Sequence, residues 1–425
     1  MTWPIATLDD LKSGEPRAIT DGPFGSNLAS RHYTDDGPRV VRLQNIGDGR
    51  FQDAHAHISQ AHFDSLRAHE VRSGDLLVAS LGEVLPRACL APAWLGPAIV
   101  KADCIRVRLG DRTDPRWVLY ALQRPDVRRW ADEHRHGVGR PRLGLKIIRE
   151  IPIPLPPLDE QRRIVDLLED HLSRLDAADG YLAAAKRRLE AMVSSVLLEL
   201  IPDASEYPDS WTRATVAEGG SVELGRQRHP DWHTGPNMKP YLRVANVFED
   251  RIDTTDVMEM HWPHETFERF KLQPGDVLLN EGQTPDLLGR PAIYRGEPPE
   301  TAFTNSLIRF KANDDVLPEF ALLVFRRHMR AGRFKRESRI TTNIAHLSAA
   351  RLKPIEFPIP PIDEQTRIVA IADERLSAVK RLAVELATAK AHRSNLRRSL
   401  LASAFSGRLT GRGSDLSVAK EMTDA

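Results

Sequence analysis

The sequence predicts an α+β fold. Two globular domains alternate with two long helices, and the helices pair as an antiparallel coiled coil in a chain duplicated about a pseudo-twofold. Three observations predict it. The 425-residue chain repeats a ten-residue string at an interval of nearly half its length. A heptad-like run of apolar residues follows each copy. The stretch before each copy is cut into short apolar runs by Gly and Pro, which read as strands and turns.

Residues 156–165 read PPLDEQRRIV and residues 360–369 read PPIDEQTRIV, eight of ten identical at an offset of 204. Upstream, Gly74-Asp75-Leu76-Leu77 matches Gly275-Asp276-Val277-Leu278 at offset 201, and Arg42–Ile46 loosely matches Arg243–Val247. So long a period is a duplicated domain pair, because solenoid units repeat every 20–50 residues or so. The expected boundaries are 1–157 for the first globular domain, 158–202 for the first long helix, 203–361 for the second domain, 362–408 for the second helix and 409–425 for a flexible tail.

Within the first domain the runs Arg39–Gln44, Asp75–Val78 and Ala98–Leu109 read as strands. Tyr241–Val247, Asp276–Leu279 and Thr304–Lys311 do so in the second. Trp117–Glu133 and Pro318–Lys335 read as helices burying Leu119, Leu122, Leu322 and Leu323. The proline-punctuated IPIPLPP and EFPIPP close each domain, since proline cannot continue pairing. Each long helix then opens with two carboxylates, Asp159-Glu160 or Asp363-Glu364, where the helix dipole favours them. In the first helix Leu168, Leu175, Leu182, Leu189 and Val196 recur every seven residues. Val379, Leu386 and Leu400 are among the counterparts in the second. These are the expected coiled-coil and subunit-docking positions. A helix of roughly 40 residues is about 60 Å long, and neither can bury its stripe alone. Packing on each other antiparallel would place the domains at opposite ends; the alternative is that each helix packs on its own domain.

Composition bounds the function. Sixty Lys and Arg against 59 Asp and Glu give a net charge of +1, so any basic footprint is local. Two cysteines, Cys89 and Cys104, exclude a disulfide framework and a four-cysteine zinc site, and read as reduced thiols. The most apolar stretch, Val78 to Val100, holds Glu83, Arg87 and three prolines, which lipid would not tolerate. The N-terminus lacks the basic and apolar regions of a signal peptide, and the expected location is cytoplasmic.

Catalytic motifs are absent. There is no phosphate-binding GxxxxGK[ST], no HExxH and no Asn-Pro-Pro or Asp-Pro-Pro followed by an aromatic residue. The sequence therefore argues against a self-sufficient nuclease or methyltransferase. His55, His57, His62 and His69 match no ligand spacing and read as solvated, so no metal is expected. Local positive charge is the stronger signal. Arg124, Arg128, Arg129, Arg135, Arg140, Arg142, Lys146 and Arg149 lie in one half, and Arg326, Arg327, Arg330, Arg333, Lys335, Arg336 and Arg339 at the equivalent place in the other. Two matching runs point to two equivalent surfaces for an anionic ligand, with double-stranded DNA the obvious one. Thr341, Thr342 and Asn343 follow the second run with short polar side chains. The competing class is a coiled-coil assembly scaffold whose globular domains bind protein.

A globular domain ending in LPPLDEQRRIV, then a long helix, then the same pair again, resembles the specificity subunit of type I restriction–modification systems over nearly the whole chain. The twice-repeated PLPPL-type string is the specific part; Asp21-Gly22-Pro23-Phe24-Gly25-Ser26-Asn27 and Leu224-Gly225-Arg226-Gln227-Arg228 add weaker support. The resemblance implies a non-catalytic subunit whose globular parts are target-recognition domains, each reading one half of a split DNA site. It implies that the helices act as a ruler and dock two methyltransferase subunits, optionally joined by two restriction subunits. The chain itself would bind no cofactor. S-adenosylmethionine would belong to the methyltransferase, and ATP and Mg2+ to the restriction subunit. The expected DNA-contacting residues are Ser26, Asn27, Arg128, Arg129, Arg140, Arg142, Lys146, Arg226, Gln227, Arg228, Arg326, Arg327, Arg330, Arg333, Lys335, Arg336, Thr341, Thr342 and Asn343.

Overall fold

The computed structural model describes residues 3–137, 139–341 and 344–409, with the side chains of 339–341 left aside. Thr342, Asn343 and the expected tail beyond Leu409 lie outside the described residues. Two compact units emerge: residues 1–181 with 388–425, and residues 182–387. The division cuts through both long helices, Leu158–Leu200 and Ile362–Phe405, so each unit owns half of each.

In the first unit a four-stranded antiparallel sheet runs β2 (Ile19–Thr20), β9 (Cys104–Val107), β6 (Leu76–Ala79), β7 (Arg87–Leu90). A second sheet runs β4 (His57–Ile58), β3 (Tyr33–Val41), β8 (Ala98–Val100), β5 (Glu70–Val71), with β3 and β8 parallel. β1 (Ile5–Thr7) pairs with β10 (Pro152–Pro154). The second unit repeats this plan. Its four-stranded sheet runs β12 (Gly220–Leu224), β21 (Leu307–Ala312), β17 (Val277–Asn280), β19 (Pro291–Ile293). A three-stranded sheet runs β16 (Met258–His261), β13 (Met238–Leu242), β20 (Ala302–Phe303), with β13 and β20 parallel. β11 (Thr212–Thr215) pairs with β24 (Glu356–Ile359). The second unit adds a hairpin of β14 (Val247–Phe248) and β15 (Arg251–Ile252). It also adds a small sheet of β18 (Gly282–Gln283), β23 (Ile344–His346) and β22 (Arg339–Thr341). The proline-rich strands β10 and β24 sit in two-stranded pairs, where a missing N–H is tolerated.

The repeated Gly-Asp-apolar-apolar string now has a cause. Successive strand side chains point to opposite faces. Leu76 and Val78 of β6 join the core shared with the helices, while Leu77 and Ala79 join the core under the second sheet. In β17, Val277 and Leu279 face the helical core and Leu278 the other. Both faces are covered, so the run is apolar throughout. The preceding turn needs glycine because φ is +83° at Gly74 and +99° at Gly275. The next aspartate locks it, with Asp75 accepting from the Arg72 amide at 2.8 Å and Asp276 from the Gln273 amide at 2.9 Å.

The expected helix 117–133 is two helices, Pro115–Leu122 and Pro125–His134, because Pro125 has no N–H to continue the ladder. Its counterpart breaks at Gly332, left-handed at φ +67°, into Pro318–Arg330 and Arg333–Glu337. The buried positions Leu119, Leu122, Leu322 and Leu323 are as read. Cys89 and Cys104 are buried and unbonded. Burial pushes the Cys89 thiol up to about 12.

The long helices pair antiparallel within each unit. In the first, Arg393 meets Asp179 at 2.6 Å and Arg397 meets Asp176 at 3.5 Å, and Leu168, Leu172 and Leu175 share a core with Leu400, Leu401 and Phe405. In the second, Arg375 meets Glu199 at 2.7 Å, and Leu197 packs with Ile368 and Ala372. The same residues also pack on the globular part: Phe405 lies 4.3 Å from Trp117, centre to centre. Helix-on-helix and helix-on-domain packing, posed as alternatives by the sequence, are both present. Of the heptad positions, Leu168, Leu175, Val379 and Leu400 are buried, while Leu182, Leu189, Val196 and Leu386 are half-buried. Leu197, rather than Val196, is fully buried. A straight helix drifts about 20° per heptad, so four heptads after Leu168 the next residue along has rotated into the seam.

The joint between domain and helix explains the repeated Asp-Glu-Gln. Gln161 and Gln365 are completely buried. Gln161 Oε1 accepts from the Asp114 amide at 3.0 Å, and its Nε2 donates to the carbonyls of Pro156 and Arg112 at 2.9 and 3.2 Å. Gln365 Oε1 accepts from the Leu317 amide at 2.8 Å, and its Nε2 donates to the carbonyls of Pro360 and Asp315, both at 2.8 Å. One amide thus stitches the start of each long helix to the start of the helix at Pro115 or Pro318.

Candidate nucleic-acid interface

Three loops meet at one end of the four-stranded sheet in each unit. In the first unit they follow β2 (residues 21–29), follow β6 (80–86) and precede the short helix Leu145–Arg149 (135–144). The Leu143 amide donates to the Ser80 carbonyl at 2.8 Å and the Gly82 amide to Pro141 at 3.3 Å. In the second unit the Leu347 amide donates to the Glu281 carbonyl at 2.8 Å, and β18 pairs with β23 beside it. The glycine opening the first loop is forced in both. A Cβ on Gly22 would lie 2.1 Å from the Lys101 carbonyl carbon, and one on Gly225 2.3 Å from the Thr304 oxygen. Asp21 fixes the turn by accepting from the amides of Gly22 and Asp103 at 2.8 and 3.1 Å. Burial raises its carboxyl above the usual carboxylate range, and the nearby Asp103 adds to this.

Ser26 and Asn27 stand exposed on the short 3-10 turn Gly25–Leu28, whose Asn27 carbonyl is held by His62 Nε2 at 3.0 Å. Arg142 crosses the loop cluster, its guanidinium 5.9 Å from the centre of the exposed Phe24 ring and 2.7 Å from Asp103. Arg129, Arg140 and Lys146 are exposed and make no ion pair among the described residues. In the second unit Gln227 and Arg228 are exposed and equally unengaged, and Arg226 lies half-buried beside them. Arg336 is exposed, and Lys335 reaches Asp286 at 3.0 Å in an exposed pair, which is worth little and easily exchanged. Of the polar triplet, only Thr341 lies among the described residues, as the end of β22.

Five arginines are placed otherwise than the charge runs imply. Glu249, in the β14–β15 turn, accepts from Arg330 Nε and Nη2 at 2.8 and 2.6 Å and from Arg326 Nε at 3.0 Å. Burial works to raise the Glu249 carboxyl, but the hydrogen bond and charges of these arginines outweigh it and hold it below the ordinary range. Arg327 donates to the Ile201 carbonyl at 3.2 Å and to Asp203 at 2.7 Å, closing the end of the first long helix. Arg333 is bound by Glu356 at 2.8 Å and Glu337 at 2.5 Å. In the first unit Asp48, equivalent to Glu249, holds Arg128 at 2.6 Å. One ion pair recurs in both halves, Arg128 with Asp48 and Arg330 with Glu249, and these guanidiniums already meet carboxylates of the chain.

Three of the four histidines hold backbone: His57 Nδ1 meets the Gly37 carbonyl at 2.7 Å, His62 Nε2 that of Asn27 at 3.0 Å and His69 Nδ1 that of Asp21 at 2.6 Å, while His55 faces Asp53 at 3.5 Å. Among the described residues no group of His, Cys, Asp and Glu is arranged to hold a metal, and no helix is long and apolar enough to cross a membrane. The placing of Trp232 and Trp262 around Arg226 was not legible in the sequence, because no local pattern ties Trp262 to a residue 36 positions earlier.

Comparison with known proteins agrees with this architecture. The chain is 23% identical over 271 residues to the EcoKI specificity subunit of Escherichia coli K12, a match covering 61% of this chain and 58% of that subunit, less than two thirds of its length. It is 21% identical to the StySPI specificity subunit of Salmonella potsdam, covering 96% of this chain and 89% of that one. A solved chain described under "Structural basis underlying complex assembly and conformational transition of the type I R-M system" shares the fold, with a TM-score of 0.68 at 19% identity over 97% of this chain and 98% of that one. The family model for the type I restriction modification DNA specificity domain matches residues 97–181 and 237–388, more than half of the sequence. The chain belongs to that family.

Proposed function

We propose that this chain is the DNA-recognition subunit of a type I restriction–modification complex. Each unit reads one half of a bipartite site in double-stranded DNA, and the paired helices set the spacer between the halves. The observation that carries this reading is the repeated loop cluster: equivalent loops, joined by an equivalent amide-to-carbonyl bond (Leu143 to Ser80, Leu347 to Glu281), stand with exposed polar and cationic side chains on and beside them in both units. Ser26, Asn27, Arg129, Arg140, Lys146, Gln227, Arg228 and Arg336 supply the contacts, with phosphates fixing register and base edges giving sequence. Arg142 and Lys335 join once their acidic partners yield. The helices dock two methyltransferase subunits, and the exposed Tyr181, Met192, Leu198 and Leu382 offer apolar area for that purpose. The chain contributes no catalytic group; S-adenosylmethionine enters with the methyltransferase, and ATP and Mg2+ with restriction subunits.

The test is a ruler experiment. Four residues inserted after Gly180, matched by four after Ala387, lengthen the helices by about 6 Å. B-DNA rises about 3.4 Å per base pair, so the spacer grows by one to two base pairs with both half-sites unchanged. Sequencing the methylated sites in a host carrying the variant reads this directly, and an altered half-site would refute it. Capture of tagged chain from its host should also recover an adenine methyltransferase at about two copies per chain. Recovery of other proteins alone would favour a scaffold.

A further inference from the structure

Arg226 differs from every arginine of the ion-pair joint. Its guanidinium carbon lies 3.6 Å from the centre of the Trp232 ring and 4.9 Å from that of Trp262. Nη1 donates to the His261 carbonyl at 3.0 Å, and no carboxylate pairs with it among the described residues. Its backbone is held from both sides: the amide donates to Phe303 at 3.2 Å, and the carbonyl accepts from the Asn305 amide at 2.9 Å. Backbone and side chain are therefore fixed before any ligand arrives, and Nε and Nη2 remain free to donate. Burial lowers its pKa, the direction expected of a cation drawn in from water without an anion. The exposed Arg228 next to it has neither restraint among the described residues.

Fixing an arginine in advance helps where direction matters. Phosphate oxygens accept from many angles, so mobile side chains serve them. The O6 and N7 atoms of guanine form one planar pair of acceptors in the major groove, which a planar guanidinium meets with two parallel bonds. Pre-ordering also removes the entropy cost of immobilising a long side chain at binding. In the first unit the residue after the equivalent glycine is Pro23, which has no donor, so the feature belongs to one half only.

Resting on the DNA-recognition reading above, we propose that Arg226 is a specificity-determining residue of the second unit that reads a guanine through O6 and N7, with Trp232 and Trp262 as positioning residues. The experiment is selection of randomised double-stranded DNA by the full chain, followed by affinity measurements on the selected site. Wild type selects a bipartite sequence with a guanine in one half. Arg226→Lys keeps the charge and loses the paired geometry; it lowers discrimination at that guanine roughly 5- to 150-fold and leaves the other half-site untouched. Trp232→Leu weakens the same preference. A second arm needs no variant: 7-deazaguanine, which lacks the N7 acceptor, is placed at each selected guanine in turn and weakens wild-type binding at one position of that half. Uniform loss across all sequences in Arg226→Lys would mark a phosphate contact and overturn the proposal, as would indifference to every 7-deazaguanine. If wild type selects no sequence at all, the recognition reading fails first, and this one with it.

Discussion

Replacing Glu249 with Gln separates a fold role from a ligand role for the arginines of Pro318–Arg330. The Glu249 side chain is 18% exposed and neutralises Arg326 at 9% and Arg330 at 21%. Three charge-assisted hydrogen bonds end on its two oxygens. Removing one partner of a buried ion pair costs about 3–5 kcal/mol, because the remaining charge stays desolvated. Partial exposure of Arg330, and Asp250 at 3.6 Å from Arg326, place the expected loss near 3 kcal/mol. For a unit of about 200 residues that lowers the melting temperature by about 6–12 °C. The assay is thermal unfolding of the full chain, with Arg330→Met and the double variant completing a cycle. Direct contact predicts a coupling of about 2 kcal/mol. The carboxyl is held below its ordinary range, so its contribution is complete above the unfolded value near 4.5 and fades as pH falls through the lower folded value; Glu249→Gln flattens that acid limb. Arg330→Met should leave the salt slope of DNA binding unchanged. A Glu249→Gln variant within about 0.5 kcal/mol of wild type, with an Arg330→Met slope reduced by about one, would refute the joint and restore the surface reading.

Two further outcomes follow from buried polar groups. Gln365→Leu removes three hydrogen bonds and strands the Leu317 amide, and should cost about 2–4 kcal/mol in urea unfolding, with Gln161→Leu doing the same in the first unit; a loss under about 1 kcal/mol would show that the stitch is dispensable. His328 is buried, and desolvation holds its imidazole well below the ordinary 6.5. The folded state therefore resists its protonation, so stability is whole above pH 6.5 and declines as pH falls toward the depressed value. His328→Gln should remove that part of the acid slope, and an unchanged profile between pH 6.5 and 5 would assign the slope elsewhere.

The repeat was legible because it is local. PP-[LI]-DEQ and Gly-Asp-apolar-apolar recur as strings; the second encodes a turn closed by near neighbours, and the first a joint whose glutamine also reaches residues about 50 positions upstream. Heptad spacing likewise announced long helices, since periodicity is written residue by residue. Charge was less legible for the opposite reason. A run of arginines in the sequence does not show which carboxylates stand opposite, and Glu249 lies 81 residues from Arg330. Only the tertiary structure decided that Arg128, Arg326, Arg327, Arg330 and Arg333 are tied within the fold while Arg140, Lys146 and Arg228 are not. The site was therefore half visible: sequence located the loops at Ser26 and Arg226, but pairing between distant strands set what each side chain faces. It brought Trp232 and Trp262 onto Arg226, because a stacked cation depends on three-dimensional proximity that no one-dimensional spacing carries.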